Sequence, residues 1–180
     1  MASPFRPAID LMAQYAAYHR DRRNIATHFV GIPLIVFAIG VLLARASFSV
    51  DGFALNGAWV LWALSALWYL TRGELLLGLA TVVVNGVLMA LASPLAEGSM
   101  LSWLVWGVGS FVVGWVIQFV GHYYEGRKPA FVDDLVGLLV GPMFVVGEWL
   151  FALGWGRSML GEIERRVGPT HIRDLAHPAT

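Results

Sequence analysis

Three histidines, His19, His28 and His122, are the side chains of this sequence best suited to chemistry. Neutral imidazole is a good ligand for iron, zinc and copper. His19 and His28 are nine residues apart, so on one unbroken helix they would point about half a turn away from each other. The polar break Asp21 to Asn24 lies between them and is what allows both rings to face inward. Further along, Trp115, Gln118, His122 and Glu125 follow at spacings of three, four and three, one face of a helix. Gln118 or Glu125 is thus placed to orient the His122 ring or to add a ligand. Asn24 stands four before His28, and Tyr15 four before His19, the same relation again. A single histidine near a membrane surface is more often a hydrogen-bonded interfacial residue, so no pairing carries weight alone. His171 and His177 lie in a polar tail and read as solvent-exposed bystanders. A zinc protease would need His-Glu-x-x-His, which is absent, and five histidines are too few for the paired clusters of di-iron membrane hydroxylases and desaturases.

The solvent for these groups is set by composition. The chain has 180 residues, 58 % hydrophobic and only 13 % charged, against about a quarter charged in soluble domains. Much of its surface must therefore face lipid. A net charge of zero gives no electrostatic footprint for nucleic acid. Cysteine is absent, which removes disulfides, thiolate metal sites and cysteine nucleophiles together. The segment ahead of the first apolar run is polar and carries Arg6, Arg20, Arg22 and Arg23. That pattern is not a cleavable signal peptide, and the run reads as a retained anchor.

The expected architecture is an all-α, polytopic membrane helical bundle forming one domain. Its parts are a surface helix within 1–24, a membrane bundle over 25–156 and a polar tail over 157–180. Ala8 to Arg22 predicts a helix with Met12, Tyr15, Ala16 and His19 on one stripe and Asp10, Gln14 and Arg20 on the other side. Asn24 is placed to cap the next helix. Ile25 to Ala44, Phe53 to Leu70, Leu75 to Ala92 and Met100 to Tyr124 are the four expected spans, the second rather short. Asn85 in the third span should hydrogen-bond to a neighbouring helix. Gly107, Gly114 and Gly121 recur every seven residues, a stripe that lets another helix approach closely. Asp133-Asp134 most simply begins a helix.

Leu135 to Trp155 is apolar, is interrupted by Gly141-Pro142 and carries Glu148. Positive charge decides between a crossing and a return. Arginines near the first span hold the amino terminus cytoplasmic. Four spans then leave Arg127 and Lys128 inside, where the tail arginines Arg157, Arg165 and Arg166 also belong. A re-entrant hairpin over Leu135 to Trp155 satisfies this, with Arg45 a minor exception. An even number of spans brings His19, His28 and His122 to one depth, on the cytoplasmic face.

Two stretches carry a family resemblance. Tyr15-x3-His19-x4-Asn24-x3-His28-x2-Gly31-x-Pro33 resembles the amino-terminal signature of the 2-hydroxy fatty acid dioxygenases, and Gln118-x2-Gly121-His122-x2-Glu125-x3-Pro129-Ala130 resembles the second. The likeness covers about Phe5 to Gly156. It implies an iron(II)-dependent dioxygenase in membrane lipid metabolism, which converts a 2-hydroxy fatty acid and dioxygen into a fatty acid one carbon shorter. Eukaryotic members act in the endoplasmic reticulum in phytosphingosine breakdown; a bacterial member would lie in the inner membrane. By motif, His19, His28 and His122 are the expected metal ligands. Asn24, Gln118 and Glu125 are expected to support them or supply a fourth ligand. A substrate with adjacent hydroxyl and carboxylate can chelate iron, and Arg127 or Lys128 would attract its carboxylate. The competing expectation is a membrane scaffold or small transporter with interfacial histidines, although no inverted repeat is visible.

Overall fold

The computed structural model describes residues 3–133 and 135–176. It is a helical bundle, with one short β-hairpin. Helix α1 spans Ala8–Ala16, α2 Arg22–Ala44, α3 Gly57–Leu70 and α4 Leu75–Ala96. After them come α5 (Met100–Leu104), a single π-helical turn (Val105–Gly109), α6 (Ser110–Glu125), α7 (Gly137–Ala152) and α8 (Arg157–Val167).

Three rods are long and apolar enough to cross a membrane: α2 with 23 residues, α4 with 22, and the continuous Met100–Glu125 rod with 26. The expected second span is shorter than a bilayer. Helix α3 has 14 residues and so reaches about 21 Å at 1.5 Å per residue, against a hydrocarbon core of about 30 Å. The missing length went into backbone pairing, because β2 (Phe53–Asn56) pairs antiparallel with β1 (Ser47–Val50). The turn between them is Asp51-Gly52, both at positive φ (49° and 84°), the conformation a tight two-residue hairpin demands. Asn56 then caps α3 by accepting the Trp59 N–H. Short as it is, α3 carries the chain back to α1, where the Ala8 N–H donates to the Arg72 carbonyl at 2.8 Å.

The bundle therefore has two poles. One holds α1, α8, the start of α2 and the end of α6. The other holds the hairpin, the end of α2 and the start of α5, tied by Arg45 to the Gly98 carbonyl and by the Trp103 indole N–H to the Val41 carbonyl. Between the poles α2 and α6 pack along their length. The glycine stripe faces α2 as expected: Gly107 lies against Leu42, Gly114 against Ile35 and the Gly31 carbonyl, and Gly121 against Thr27 and Asn24. Asn85 lies close to the Tyr69 hydroxyl of α3, which donates to the Leu139 carbonyl of α7 at 2.9 Å.

Several boundaries differ from expectation for local reasons. Helix α1 stops at Ala16 instead of Arg22, and Asp21, not Asn24, caps α2 by accepting the Arg23 N–H at 2.8 Å. Arg20, expected on the wet side, is buried. Helix α4 runs past Pro94 to Ala96, giving up the one bond that an N–H at 94 would make to the Ala90 carbonyl. Asp133 begins no helix; it pairs with Lys128 at 2.6 Å and accepts from Tyr18 at 2.8 Å, while Asp134 and His177 lie outside the described residues.

Helix α7 is continuous through Gly141-Pro142, and the reversal comes after it, where the chain bends by 117° into α8. Both flanks belong to the α1 pole. Ala130 packs in the core with α1 ahead of α7, and Met159 and Ile163 of α8 pack there behind it. Both flanks thus pack in the same core cluster, joined by one helix and a turn in place of the two limbs expected. The polar tail is also structured: His171 bridges Asp21, and the Arg22 N–H donates to the His171 carbonyl at 2.9 Å.

Candidate metal centre

The elbow between α1 and α2 is what brings His19 and His28 face to face. Asp21 and the short Ala17–Asp21 link reverse the chain, so residues nine apart meet with their Nε2 atoms 2.9 Å from each other. His122 reaches the same point from the last turn of α6, its ring centroid 5.0 Å from His19 and 5.2 Å from His28. One ring nitrogen from each of the three lies within 4.8 Å of the others. All three rings are buried.

Proton positions make this cluster informative. His19 Nδ1 lies 2.6 Å from the Tyr15 carbonyl and His28 Nδ1 lies 2.8 Å from the Asn24 carbonyl. A carbonyl only accepts, so each ring carries its N–H on Nδ1, and each Nε2 presents a lone pair. Two lone pairs aimed at one another across 2.9 Å repel unless a cation lies between them. A shared proton is a poor choice, since burial pushes the His19 imidazolium well below its ordinary range, with His28 adding to the effect. A metal ion fits better. Two adjacent nitrogens bound at about 2.1 Å stand roughly 3 Å apart. His122 Nδ1 is buried and has no hydrogen-bond partner among the described residues, an orphan that a ligand role would satisfy.

The supporting groups are not arranged as one shell. Glu125, one turn beyond His122, is not within the nitrogen cluster. Its carboxylate accepts the Arg20 N–H at 3.0 Å, the Asp21 N–H at 2.8 Å and the Asn24 amide at 3.0 Å. It clamps the elbow that aims His19. Asn24 gives its amide also to the Tyr18 carbonyl at 3.1 Å, so it braces the same loop while its own carbonyl fixes the His28 tautomer. Gln118 does neither: its amide nitrogen is buried, faces Gly31 and has no partner among the described residues. Arg127 donates to the Ala17 carbonyl at 2.8 Å, and Lys128 is exposed and paired with Asp133. Neither lines the cavity described below.

Tyr15, the first residue of the amino-terminal motif, and several residues outside both motifs complete the surroundings. Tyr15 stacks on His19 with centroids 4.1 Å apart and planes 8° from parallel, and Phe144 of α7 packs against both rings. Burial of Arg20 lowers its pKa, an effect opposed by the Glu148, Glu125 and Glu164 carboxylates. Glu148, in the middle of an apolar run, thus lies near enough to a buried cation to favour its charge. Burial pushes Asp21 up, but the Arg23 guanidinium and the Arg173 and Arg23 N–H groups bring it down to about 2. Asp21 ties the elbow to the tail, a contact without any sequence signal beyond the tail's length.

A cavity of about 250 Å³ opens from the histidines into the apolar part of the bundle. Tyr15, His28, Gln118 and His122 form its polar end. Ile32, Ile35, Val36 and Ile39 of α2, with Phe111 and Trp115 of α6, continue it between the helices.

Fold and site together define a class: a helical bundle with rods long and apolar enough to cross a membrane, and three buried imidazoles at the head of an apolar cavity. Comparison with known proteins places the chain within it. The family described as 2-hydroxy-palmitic acid dioxygenase Mpo1-like matches residues 5–153, and the chain belongs to that family. It is 33 % identical over 162 residues to the 2-hydroxy-palmitic acid dioxygenase MPO1 of Saccharomyces cerevisiae, covering 87 % of this chain and 88 % of the yeast protein. No solved structure matches the chain.

Proposed function

We propose that this protein is an iron(II)-dependent dioxygenase of 2-hydroxy fatty acids, which it shortens by one carbon with loss of the carboxyl carbon. The observation that carries the reading is the pair of Nε2 lone pairs of His19 and His28 facing each other beside His122, at the closed polar end of an apolar cavity. The yeast relative's name supplies the substrate class.

His19, His28 and His122 would hold the ion. Iron(II), when bound, would offer open positions for two substrate oxygens and for dioxygen, while the four electrons that dioxygen takes up would come from the hydroxy acid as its carboxyl carbon leaves as carbon dioxide. The chain's own residues do the rest. Tyr15 and Asn24 fix the two tautomers through their carbonyls, so the free lone pairs are Nε2 without any rearrangement. Glu125 holds the elbow rigid. Gln118 is the group left to receive a substrate oxygen, because a buried amide without a partner costs about 1–3 kcal/mol and the residue lines the cavity along with His28. Apolar walls exclude water from the reacting end. Arg127 and Lys128, outside the lining, act at a distance by drawing a carboxylate to the aqueous rim near Pro129 and Ala130.

The site pole belongs on the cytoplasmic face of the membrane. Of the 12 basic residues, Arg45 alone sits at the hairpin pole, the asymmetry expected from positive-inside insertion.

The test is metal analysis by edge absorption on detergent-purified protein, followed by oxygen consumption with 2-hydroxypalmitate and with palmitate. Bound iron and uptake only with the hydroxy acid are expected. Metal-free protein that also shows no uptake after iron reconstitution would overturn the reading.

A further inference from the structure

The cavity has a shape that a metal site alone does not require. Its walls run along two helices at regular spacing: His28, Ile32, Ile35 and Ile39 on α2, and His122, Gln118, Trp115 and Phe111 on α6. Eleven residues separate His28 from Ile39 and from His122 to Phe111, about 16 Å at 1.5 Å per residue. That is close to half the hydrocarbon thickness of about 30 Å, the depth of one leaflet and hence of one acyl chain. Of the polar lining side chains, Tyr15, His28, Gln118 and His122 gather at one end, and Trp115 is the one further along the wall among the described residues.

Beyond Ile39 and Phe111 the space closes. Gly107 meets Leu42 so tightly that any side chain at 107 would strike it, and Trp106 packs edge-on to Phe37 at 6.5 Å. On the third side the cavity is bounded by Gly137, Leu138, Gly141 and Pro142 of α7. Helix α2 packs against both α6 and α7, but α6 and α7 make no extended contact with each other. The seam between them is therefore an opening at membrane depth. Gly141 keeps it wide on the α1 side, where a side chain would meet Ile32 and the Tyr15 hydroxyl.

We infer that this cavity is an acyl-chain channel, entered sideways from the bilayer through the α6–α7 seam, and that Ile39 and Phe111 at its closed end set the longest chain the enzyme accepts. The inference rests on the proposed dioxygenase reading for the identity of the head group, but not for the path of the tail. With the 2-hydroxy acid end at the histidines, the tail has one apolar route, along Ile32 and Ile35. The hydroxy acid comes out of the leaflet without passing through water, because its carboxylate stays at the depth of the charged pole while its methylenes slide between two helices.

Two measurements test this on the full-length protein in detergent or vesicles. In the first, 2-hydroxypalmitate carrying a diazirine at its alkyl end is photolysed with the protein and the labelled peptides are mapped. Labelling at the Ile39 and Phe111 segments is expected; labelling confined to α4 or the hairpin would overturn the channel, with or without turnover. In the second, oxygen uptake is measured across a series of 2-hydroxy acids of increasing length for wild type, Ile39→Trp and Phe111→Ala. Ile39→Trp should reduce kcat/KM for the longest substrates by about tenfold or more, the worth of a methylene that no longer fits, and spare the shorter ones. Phe111→Ala should move the optimum to longer chains. An active wild type whose two variants keep its length profile would sink the ruler and leave the dioxygenase reading standing. A wild type inert toward every member, yet labelled at Ile39 and Phe111, would sink the dioxygenase reading and leave the channel.

Discussion

The two poles of the bundle are built from the ends of the same apolar helices and solve opposite problems. At the hairpin pole α2 hands over to α3 chiefly through backbone pairing, with Asp51-Gly52 as the turn and the Asn56 side chain as the cap. Its charges, such as Asp51 and Glu97, face water. At the site pole the α1–α2 elbow is held by side chains. His19, Arg20, Asp21, Asn24, Gln118, His122 and Glu125 are all buried there. A buried polar group must be paired or it is costly, and most of these are: Glu125 accepts from two backbone N–H groups and an amide, and Asp21 from Arg23 and the tail. Among the described residues the exceptions are Arg20 Nη2, Asn24 Oδ1, the Gln118 amide nitrogen and His122 Nδ1, and of these four residues Gln118 and His122 line the cavity. Connection is cheap in this bundle; a dry polar centre takes a whole pole to support.

The largest effects are expected where that support converges on the ion. His28→Ala and His122→Ala should each abolish bound metal and oxygen uptake while the protein still purifies as a folded bundle. Stoichiometric metal in both variants would show that the rings do not share an ion. Next comes Glu125→Gln, which keeps the shape of the side chain and removes its charge. Charge-assisted hydrogen bonds contribute about 1.5–3 kcal/mol each, and losing an outer-shell partner lowers metal affinity about 10–100-fold. Chelator titration should therefore strip Glu125→Gln far more easily than wild type. Equal resistance to chelation would make the clamp dispensable.

How much of this was legible in the sequence divides along the same line. The apolar runs and the glycine stripe are periodic signals, and the stripe faces α2 as the seven-residue spacing says. The histidines converge as counting crossings suggested, yet the count of four does not hold: three rods are long enough to cross and α3 is too short. The hairpin was written in Asp51-Gly52, a strong turn signal masked by the apolar residues after it. The roles of Arg20 and Asp21 were not legible. Nothing in a run of charges says that Asp21 will cap α2, bind Arg23 and receive the Arg173 N–H of the tail, since those partners are up to 152 residues apart. The orphaned amide of Gln118 needs coordinates for the same reason.

Paired glycines sharpen the comparison between poles. A methyl group at Gly31 would meet the Gln118 amide and the Gly114 carbonyl, whereas one at Gly40 would meet Ala92 and Met89. Both Gly31→Ala and Gly40→Ala overpack a helix contact, at about 1–3 kcal/mol each, and both should lower the melting temperature. Only Gly31→Ala should also raise KM for a 2-hydroxy acid, because only there does the displaced group line the cavity. A KM change of equal size in Gly40→Ala would deny that the poles are functionally separate. Smaller still is the expected effect of Arg127→Gln with Lys128→Gln. Their contribution is long-range attraction, screened by salt within a Debye length of about 8 Å. The pair should raise KM modestly at low ionic strength and leave kcat and metal content unchanged, with the difference fading as salt is added.

Least of all should depend on the hairpin. Gly52 has φ 84° with open space around it, so Gly52→Ala adds backbone strain and no clash, about 1 kcal/mol of stability. The hairpin connects the end of α2 to the start of α3 at the pole opposite the histidines, and the packed length of α2 on α6 lies between. If that packing is what sets the relative height of His28 and His122, a strained turn at the far end changes neither. Gly52→Ala should melt slightly earlier and turn over normally with full metal. A loss of metal in this variant would mean that the register of α2 against α6 is set by the hairpin and not by the glycine stripe, and the separation of the poles would fail at its least expected place.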